Sequence, residues 1–224
     1  MSDDKPERDY ASPVCLAGEI APDYFDPGRV DERAAADADR WRKAERARLI
    51  AARGTLDEAA RAARDAAIAA HLDRVLAERF SGATGKVLAG YWPIRGEPDL
   101  RGWMAALTGQ GLRLALPVVV SRDAALIFRP WTPDAAMRAG LWNIPEPDTD
   151  EVVQPDLMLA PTVGWDSARY RMGYGGGFYD RSLASLRRRP YAIGVGEEAG
   201  RLRTIYPQPH DEPLDLIVTE AGII

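Results

Sequence analysis

From Gly85 onward the chain is a succession of short apolar runs, each cut off by Gly, Pro or Asp. They are Lys86–Trp92, Leu112–Val120, Ala124–Trp131, Leu157–Val163, Tyr191–Val195 and Leu214–Thr219. Runs of this length without polar alternation fit strands buried on both faces, as the strands of a parallel sheet are. Helical stretches lie between them, notably Asp99–Thr108 and Phe178–Arg189. The alternation predicts an α/β fold: a largely parallel sheet flanked by helices in a three-layer, Rossmann-like arrangement. In such sheets ligands bind beyond the carboxyl ends of the strands, so chemistry is expected in the loops that follow strands.

Upstream the pattern is helical. Asp31–Arg53 is rich in Ala and Arg and closes at Gly54; Thr55 and Glu58 have capping-box spacing for a second helix, carried through Ala66, Ile68, Leu72 and Leu76 to about Phe80. Residues 1–30 carry Pro6, Pro13, Pro22 and Pro27 with no sustained period and read as an extension, with Tyr10, Cys15, Leu16, Tyr24 and Phe25 available to dock on a surface. The expected organisation is an extension over 1–30 and one domain over 31–224, long enough to fold without disulfide or metal staples.

Composition narrows the function. Lys+Arg 29 against Asp+Glu 34 leaves a formal net charge of -5, which speaks against a nucleic-acid coat or a polybasic membrane binder. No apolar run approaches the roughly 20 residues that span a bilayer, and the Met1-Ser2-Asp3-Asp4 start lacks an apolar h-region. A cytoplasmic protein acting on small molecules is expected, with no nucleic-acid or membrane partner; the oligomeric state is left open. Cys15, the one cysteine, excludes an internal disulfide and a cysteine-based zinc cluster. Apart from Lys5, Lys43 and Lys86 the basic residues are arginines, informative where they converge on a site and otherwise a compositional bias.

The strongest local signal is Arg171-Met172-Gly173-Tyr174-Gly175-Gly176-Gly177-Phe178-Tyr179-Asp180-Arg181, between a predicted strand and a predicted helix. Glycines let backbone N–H groups approach a bulky anion, and the helix N-terminus adds partial positive charge. Arg171 and Arg181 are expected to bracket this phosphate cradle with full charges. The stretch lacks the terminal Lys-Ser/Thr of a P-loop and the third glycine of a dinucleotide fingerprint. Asp180, in the first helical turn, suits either a Mg²⁺ beside a nucleotide or simple dipole complementation.

Other candidates are weaker alone. Trp142 in Trp142–Pro147 offers a flat face to a planar ligand or anchors a rigid loop. Glu97, in the loop after the first strand, is placed to contact a ligand or stands solvated. Asp211 is a second carboxylate for a metal, and His210 a base or a structural histidine. Arg42 and Arg46 share a helix face and either clamp a polyphosphate or belong to a solvated arginine stripe.

In this order the segments resemble the 5-formyltetrahydrofolate cyclo-ligase family, also called methenyltetrahydrofolate synthetase. Its RLGYGGGYYDR loop is matched by RMGYGGGFYDR at Arg171–Arg181. WNIPEP at Trp142–Pro147, PDLMLAPTVGWD at Pro155–Asp166 and HDEPLDLIVTE at His210–Glu220 support it, and the resemblance runs from about Trp41 to the C-terminus. The resemblance implies an ATP- and Mg²⁺-dependent conversion of 5-formyltetrahydrofolate to 5,10-methenyltetrahydrofolate with release of ADP and phosphate. Alternatives are a family relative acting on another formyl or amide compound, and a non-catalytic folate- or nucleotide-binding protein.

Carried across, the resemblance implies that Arg171, Met172, Gly173, Tyr174, Gly175, Gly176, Gly177, Phe178 and Tyr179 form the ATP loop, joined by Arg42 and Arg46. Asp180 and Asp211 would be the metal ligands. Trp92, Glu97, Trp142, Tyr174 and Phe178 would contact the folate, and Arg46, Tyr174 and Asp180 would be catalytic. The sequence departs from the family pattern at Gly194–Ala199, which lacks a usual Phe and Gln. Arg169 stands where a glycine is usual, and Phe178 replaces a tyrosine.

Overall fold

A computed structural model describes residues 32–224; the extension with Cys15 lies outside the described residues. Two long helices come first, α1 (Glu32–Gly54) and α2 (Glu58–Phe80). Both are built from Ala, Arg, Leu and Glu, the residues that lose least on entering a helix. The cap of α2 is not the expected Thr55 but Asp57, whose carboxylate accepts from Ala60 N–H at 2.8 Å. A carboxylate at this position satisfies an orphan donor and complements the helix dipole. At the other end Ser81 takes a left-handed backbone and donates its N–H to the Leu76 carbonyl.

The sheet follows. Its strands are β1 (Val87–Ala89), β2 (Arg113–Val118), β3 (Ile127–Trp131), β6 (Leu157–Pro161), β9 (Tyr191–Val195), β11 (Leu216–Thr219) and β12 (Gly222–Ile223), in the order β12-β11-β9-β6-β1-β2-β3. The central neighbours β2, β1, β6, β9 and β11 are all parallel, and β3 and β12 add antiparallel edges. The predicted parallel α/β sheet is therefore present. Helix α3 (Arg101–Thr108) makes the crossover from β1 to β2, and α4 (Phe178–Ser185) lies between β6 and β9. α4 ends at Ser185, earlier than the expected Arg189, as Leu186 turns extended.

Side chains alternate between the two faces of the sheet, and the core divides accordingly. Leu88, Leu157, Leu159, Ile193, Val195, Leu216 and Val218 point to α2 and α3, meeting Ile68, Leu72, Met104 and Leu107. Ala89, Met158, Ala160, Ala192 and Ile217 face the other way, toward Leu183 of α4 and Trp165. This is the expected three-layer arrangement. No helix among the described residues is long and apolar enough to cross a membrane.

Short pieces that the apolar runs do not announce complete the fold. β4 (Met137–Ala139) and β5 (Pro145–Pro147) form a hairpin, and β7 (Gly164–Asp166), β8 (Arg171–Met172) and β10 (Arg201–Leu202) form a three-stranded sheet. The expected strand Leu157–Val163 thus ends at Pro161, and a hairpin separates it from the glycine loop. Helix α1 lays Leu49 on Val163, Met172 and Ile205 beside this small sheet. From β1 the chain steps to β2 on one side, and β6 flanks β1 on the other. The carboxyl ends of β1 and β6 therefore border a switch-point crevice, the usual ligand position in open α/β sheets.

Candidate active site

Helix α1 supplies the unexpected feature of the crevice. Its buried positions are Ala38, Arg42, Leu49 and Arg53, with Arg46 half-buried between them, at the spacing of one helical face. The face turned inward therefore carries three guanidiniums, and the alternative of a solvated arginine stripe is not what the fold adopts at these positions.

Arg46 reaches the glycine loop. Its Nε donates to the Gly173 carbonyl at 2.7 Å, and a Cβ on Gly175 would sit 3.5 Å from the guanidinium carbon. Burial, then the nearby Arg42 charge, lowers the Arg46 pKa from its ordinary value; arginine stays charged nonetheless. Gly175 (φ +93) and Gly177 (φ +64) take backbone conformations that disfavour side chains. The loop leads directly into α4, with Gly177 as its N-cap. Bare backbone, a helix start and one half-buried guanidinium thus converge, and a side chain at Gly175 would fill the space beside Arg46.

Arg171 and Arg181 do not bracket the loop as free charges. Arg171 is 4% exposed; its guanidinium lies 3.3 Å from the Asp180 carboxylate and over the Tyr179 ring. Arg181 donates to the Ala124 and Arg122 carbonyls and covers the Phe178 ring. A buried cation such as Arg171 needs partners, and the fold supplies them to both arginines from its own groups.

The loop that carries Asp211 lies against Asp180, the other acid expected to hold metal. Asp180 accepts the Glu212 backbone N–H at 3.2 Å, which brings the residue after Asp211 against it. Asp211 receives a bidentate pair from Arg42, at 2.7 and 3.1 Å, and the Gln208 N–H at 2.6 Å. Arg42 therefore stands with Asp211, one helical turn before Arg46. No group of three or more His, Cys, Asp or Glu that could hold a metal occurs among the described residues. A pair of carboxylates is a poor closed site for a transition metal. It suits a Mg²⁺ that takes its remaining ligands from phosphate and water.

Across the crevice stands Glu97, 5% exposed. Its Oε2 accepts the Ile94 N–H at 2.9 Å while its own N–H donates to the Ile94 carbonyl at 3.0 Å, so the turn holds the carboxyl from both sides. Burial raises its pKa from 4.5 to about 7, against the opposing pull of Ile94 N–H, Arg53, Tyr174 and Arg95. Tyr174 spans the gap from the glycine loop: its hydroxyl donates to the Ile94 carbonyl at 3.5 Å, and burial followed by the Glu97 charge raises its pKa. Trp92 lies on the same loop as Glu97, with Arg101 over its ring. Beside Glu97 opens a cleft of about 390 Å³ lined by Arg61, Arg64, Ile94, Arg95 and Arg101.

Trp142 resolves the choice left by its sequence. It is 54% exposed, sits with Asn143 in left-handed backbone at the tip of the β4–β5 hairpin, and meets Phe178 edge-to-face with ring centroids 5.8 Å apart. It is not a buried anchor. His210 is exposed.

The family model of the 5-formyltetrahydrofolate cyclo-ligase family matches residues 38–220. The chain belongs to this family. The 5-formyltetrahydrofolate cyclo-ligase of Mycolicibacterium smegmatis is 31% identical over 152 residues, covering 63% of this chain and 77% of that protein. That of Haemophilus influenzae is 28% identical over 141 residues, 59% of this chain and 75% of that one. Among solved structures, the Aquifex aeolicus 5,10-methenyltetrahydrofolate synthetase superposes with a TM-score of 0.69 at 25% identity, covering 81% of this chain and 91% of that one. The Mycoplasma pneumoniae protein of the same name shares the fold, with a TM-score of 0.65 at 24% identity over 80% of this chain and 98% of that one. The cyclo-ligase family is a family of enzymes, and the match spans every residue assigned to the crevice above.

Sequence reasoning missed Arg53, Arg64 and Glu197, which lie buried beneath the Glu97 loop. Arg53 continues the face of Arg42 and Arg46 by two further turns, a signal present in the helical period. Arg64 and Glu197 have no local signal.

Proposed function

We propose that this chain converts 5-formyltetrahydrofolate to 5,10-methenyltetrahydrofolate in the cytoplasm, consuming ATP with Mg²⁺ and releasing ADP and phosphate. One observation carries the reading. The glycine loop at the start of α4 and the Glu97 loop after β1 meet through Tyr174, whose hydroxyl lies 3.5 Å from the Ile94 carbonyl. An anion cradle and a buried carboxyl thus share one crevice, as transfer of phosphate onto a folate requires.

In this scheme the formyl oxygen attacks the γ-phosphorus and ADP leaves. N10 then adds to the formyl carbon and gives up its proton to solvent, the C–O bond breaks, and phosphate departs as the ring closes. Such a transfer depends on positioning and charge neutralisation, so no protein nucleophile is needed. The backbone of Gly173–Gly177, with Arg46 behind it, holds the phosphates. Asp180 and Asp211 hold the Mg²⁺, which when bound neutralises phosphate charge. Arg42 fixes Asp211, and Arg171 fixes Asp180 for that duty.

Glu97 faces the pterin. Its carboxylate accepts ring N–H groups when ionised, which ties folate binding to the deprotonated form. Trp92, Tyr174, Phe178 and Trp142 wall the flat ring, and Trp142 with Phe178 also borders the entrance. Phosphate release from ATP by the purified protein tests the reading. It should require both Mg²⁺ and 5-formyltetrahydrofolate and vanish in Asp180→Ala. Release without the folate, or an active Asp180→Ala, would overturn the assignment of the site.

A further inference from the structure

Beneath the Glu97 loop, three buried charged residues from different elements meet. Arg64 of α2 is 5% exposed, Arg53 of α1 2% and Glu197, after β9, 8%. Glu197 is hydrogen-bonded by Arg64 Nη1, and Arg53 Nε lies 3.4 Å from the same carboxylate oxygen. Each arginine then reaches backbone at the end of another strand. Arg64 donates to the Gly96 carbonyl at 3.0 Å and the Glu97 carbonyl at 3.3 Å, while its Nε binds Asp65 at 2.8 Å. Arg53 donates to the Thr162 carbonyl, beyond β6, at 2.7 Å, and its side chain packs against Gly96, where φ is +76. The Glu197 backbone is itself anchored, its carbonyl accepting the Trp165 indole N–H at 2.9 Å. The carboxyl ends of three adjacent strands, β1, β6 and β9, are thereby tied through one carboxylate.

We infer that Arg53, Arg64 and Glu197 form a positioning network for Glu97: Glu197 holds the two arginines, and the arginines hold the backbone that sets where the Glu97 carboxyl sits. The inference rests on the reading of Glu97 as the folate contact for its consequence, but not for its existence. Buried ion networks are costly to assemble and often replaceable by apolar packing. Here the arginines place three hydrogen bonds on loop and strand-end carbonyls, besides the carboxylate they share. Arg53 also keeps its Nε and Nη1 buried without a hydrogen-bond partner, held only by charge against Glu197.

The network also sets the field at Glu97. Facing that carboxyl are Arg53 from α1, Tyr91 and Arg95 from its own loop, Tyr174 from the glycine loop and Tyr179 from α4. Arg64 and Asp65 of α2 and Glu197 lie around it. Removing the Glu197 charge leaves both arginines uncompensated and favours the ionised Glu97; removing Arg53 does the reverse.

The test is the titration of Glu97 in the ligand-free protein, followed by carbon-13 carboxyl NMR and identified by its loss in Glu97→Gln. Glu197→Gln, which preserves shape, should lower the midpoint by at least about half a pH unit, and Arg53→Met should raise it by a similar amount. In Glu197→Gln the Glu97 amide should also exchange with solvent at least about tenfold faster, a loss of local protection. At a pH where Glu97 is ionised in both proteins, the same variant should raise the folate KM about fivefold or more and leave the ATP KM within about twofold. Should Arg53→Met fail to fold, Glu197→Gln carries the test alone. Midpoints that stay put, or shift in the same direction in both variants, would overturn the network. Predicted midpoint shifts in a protein that does not bind 5-formyltetrahydrofolate would uphold the network and overturn the proposed function instead.

Discussion

The proposed phosphate cradle depends on Gly175, and Gly175→Ala probes it with a change of one methyl group. At φ +93 the residue lies beyond the left-handed region that other residues visit. Holding alanine there costs about 1–3 kcal/mol. Steric contact adds little, because the new Cβ would meet the Arg46 guanidinium at 3.5–3.7 Å, an ordinary van der Waals distance. Part of that loss is offset by the stiffer unfolded chain, which favours the folded state by about 0.4–1 kcal/mol. The net is about 1–2 kcal/mol, or roughly a five- to thirtyfold shift in an equilibrium. Because the loop is exposed at this point, it can relax away from the productive shape rather than unfold the protein. ATP affinity, read by calorimetry, should therefore fall about tenfold while folate affinity and the thermal midpoint change little. Gly102→Ala is the control: it lies in α3 with open space around its Cα, and should leave ATP affinity untouched. Wild-type ATP affinity in Gly175→Ala would refute the cradle.

Two further predictions concern the charged groups. Glu97 keeps its proton to about 7 in the folded protein against an ordinary 4.5, so the folded state binds the extra proton between those values and stability falls as pH rises through that window. The difference in unfolding free energy between wild type and Glu97→Gln should therefore move by up to roughly 3 kcal/mol in favour of the variant from pH 4.5 to 7, as measured by urea denaturation; a constant difference would contradict the raised pKa. Asp211→Ala strands the buried Arg42 and should cost about 3–5 kcal/mol. Adding Arg42→Met should restore most of the thermal midpoint but no turnover, and restored turnover would remove Asp211 from the metal site.

The sheet was legible because its central strands are buried on both faces, so their apolar runs are unbroken, the pattern of a largely parallel sheet. Leu157–Pro161 and Tyr191–Val195 show this. The small sheet was not legible: β8 holds only Arg171 and Met172, and two residues carry no period. Within the site, the glycine loop announced itself by composition, and Asp180 and Asp211 by their motifs. The charges were harder. Arg171 and Arg181 look like phosphate ligands in sequence, yet burial obliges Arg171 to pair with Asp180, and half-buried Arg181 binds carbonyls. Glu197 falls in the Gly194–Ala199 segment that departs from the family pattern, and its partner Arg64 lies 133 positions away. Only the fold brings them together.

The central claim is tested most directly by near-ultraviolet absorbance of the purified protein with 5-formyltetrahydrofolate, Mg²⁺ and ATP. The account predicts that methenyltetrahydrofolate absorbance rises only when all three are present. No rise, with ATP still bound by calorimetry, would contradict it and assign the same loop to a different formyl or amide substrate.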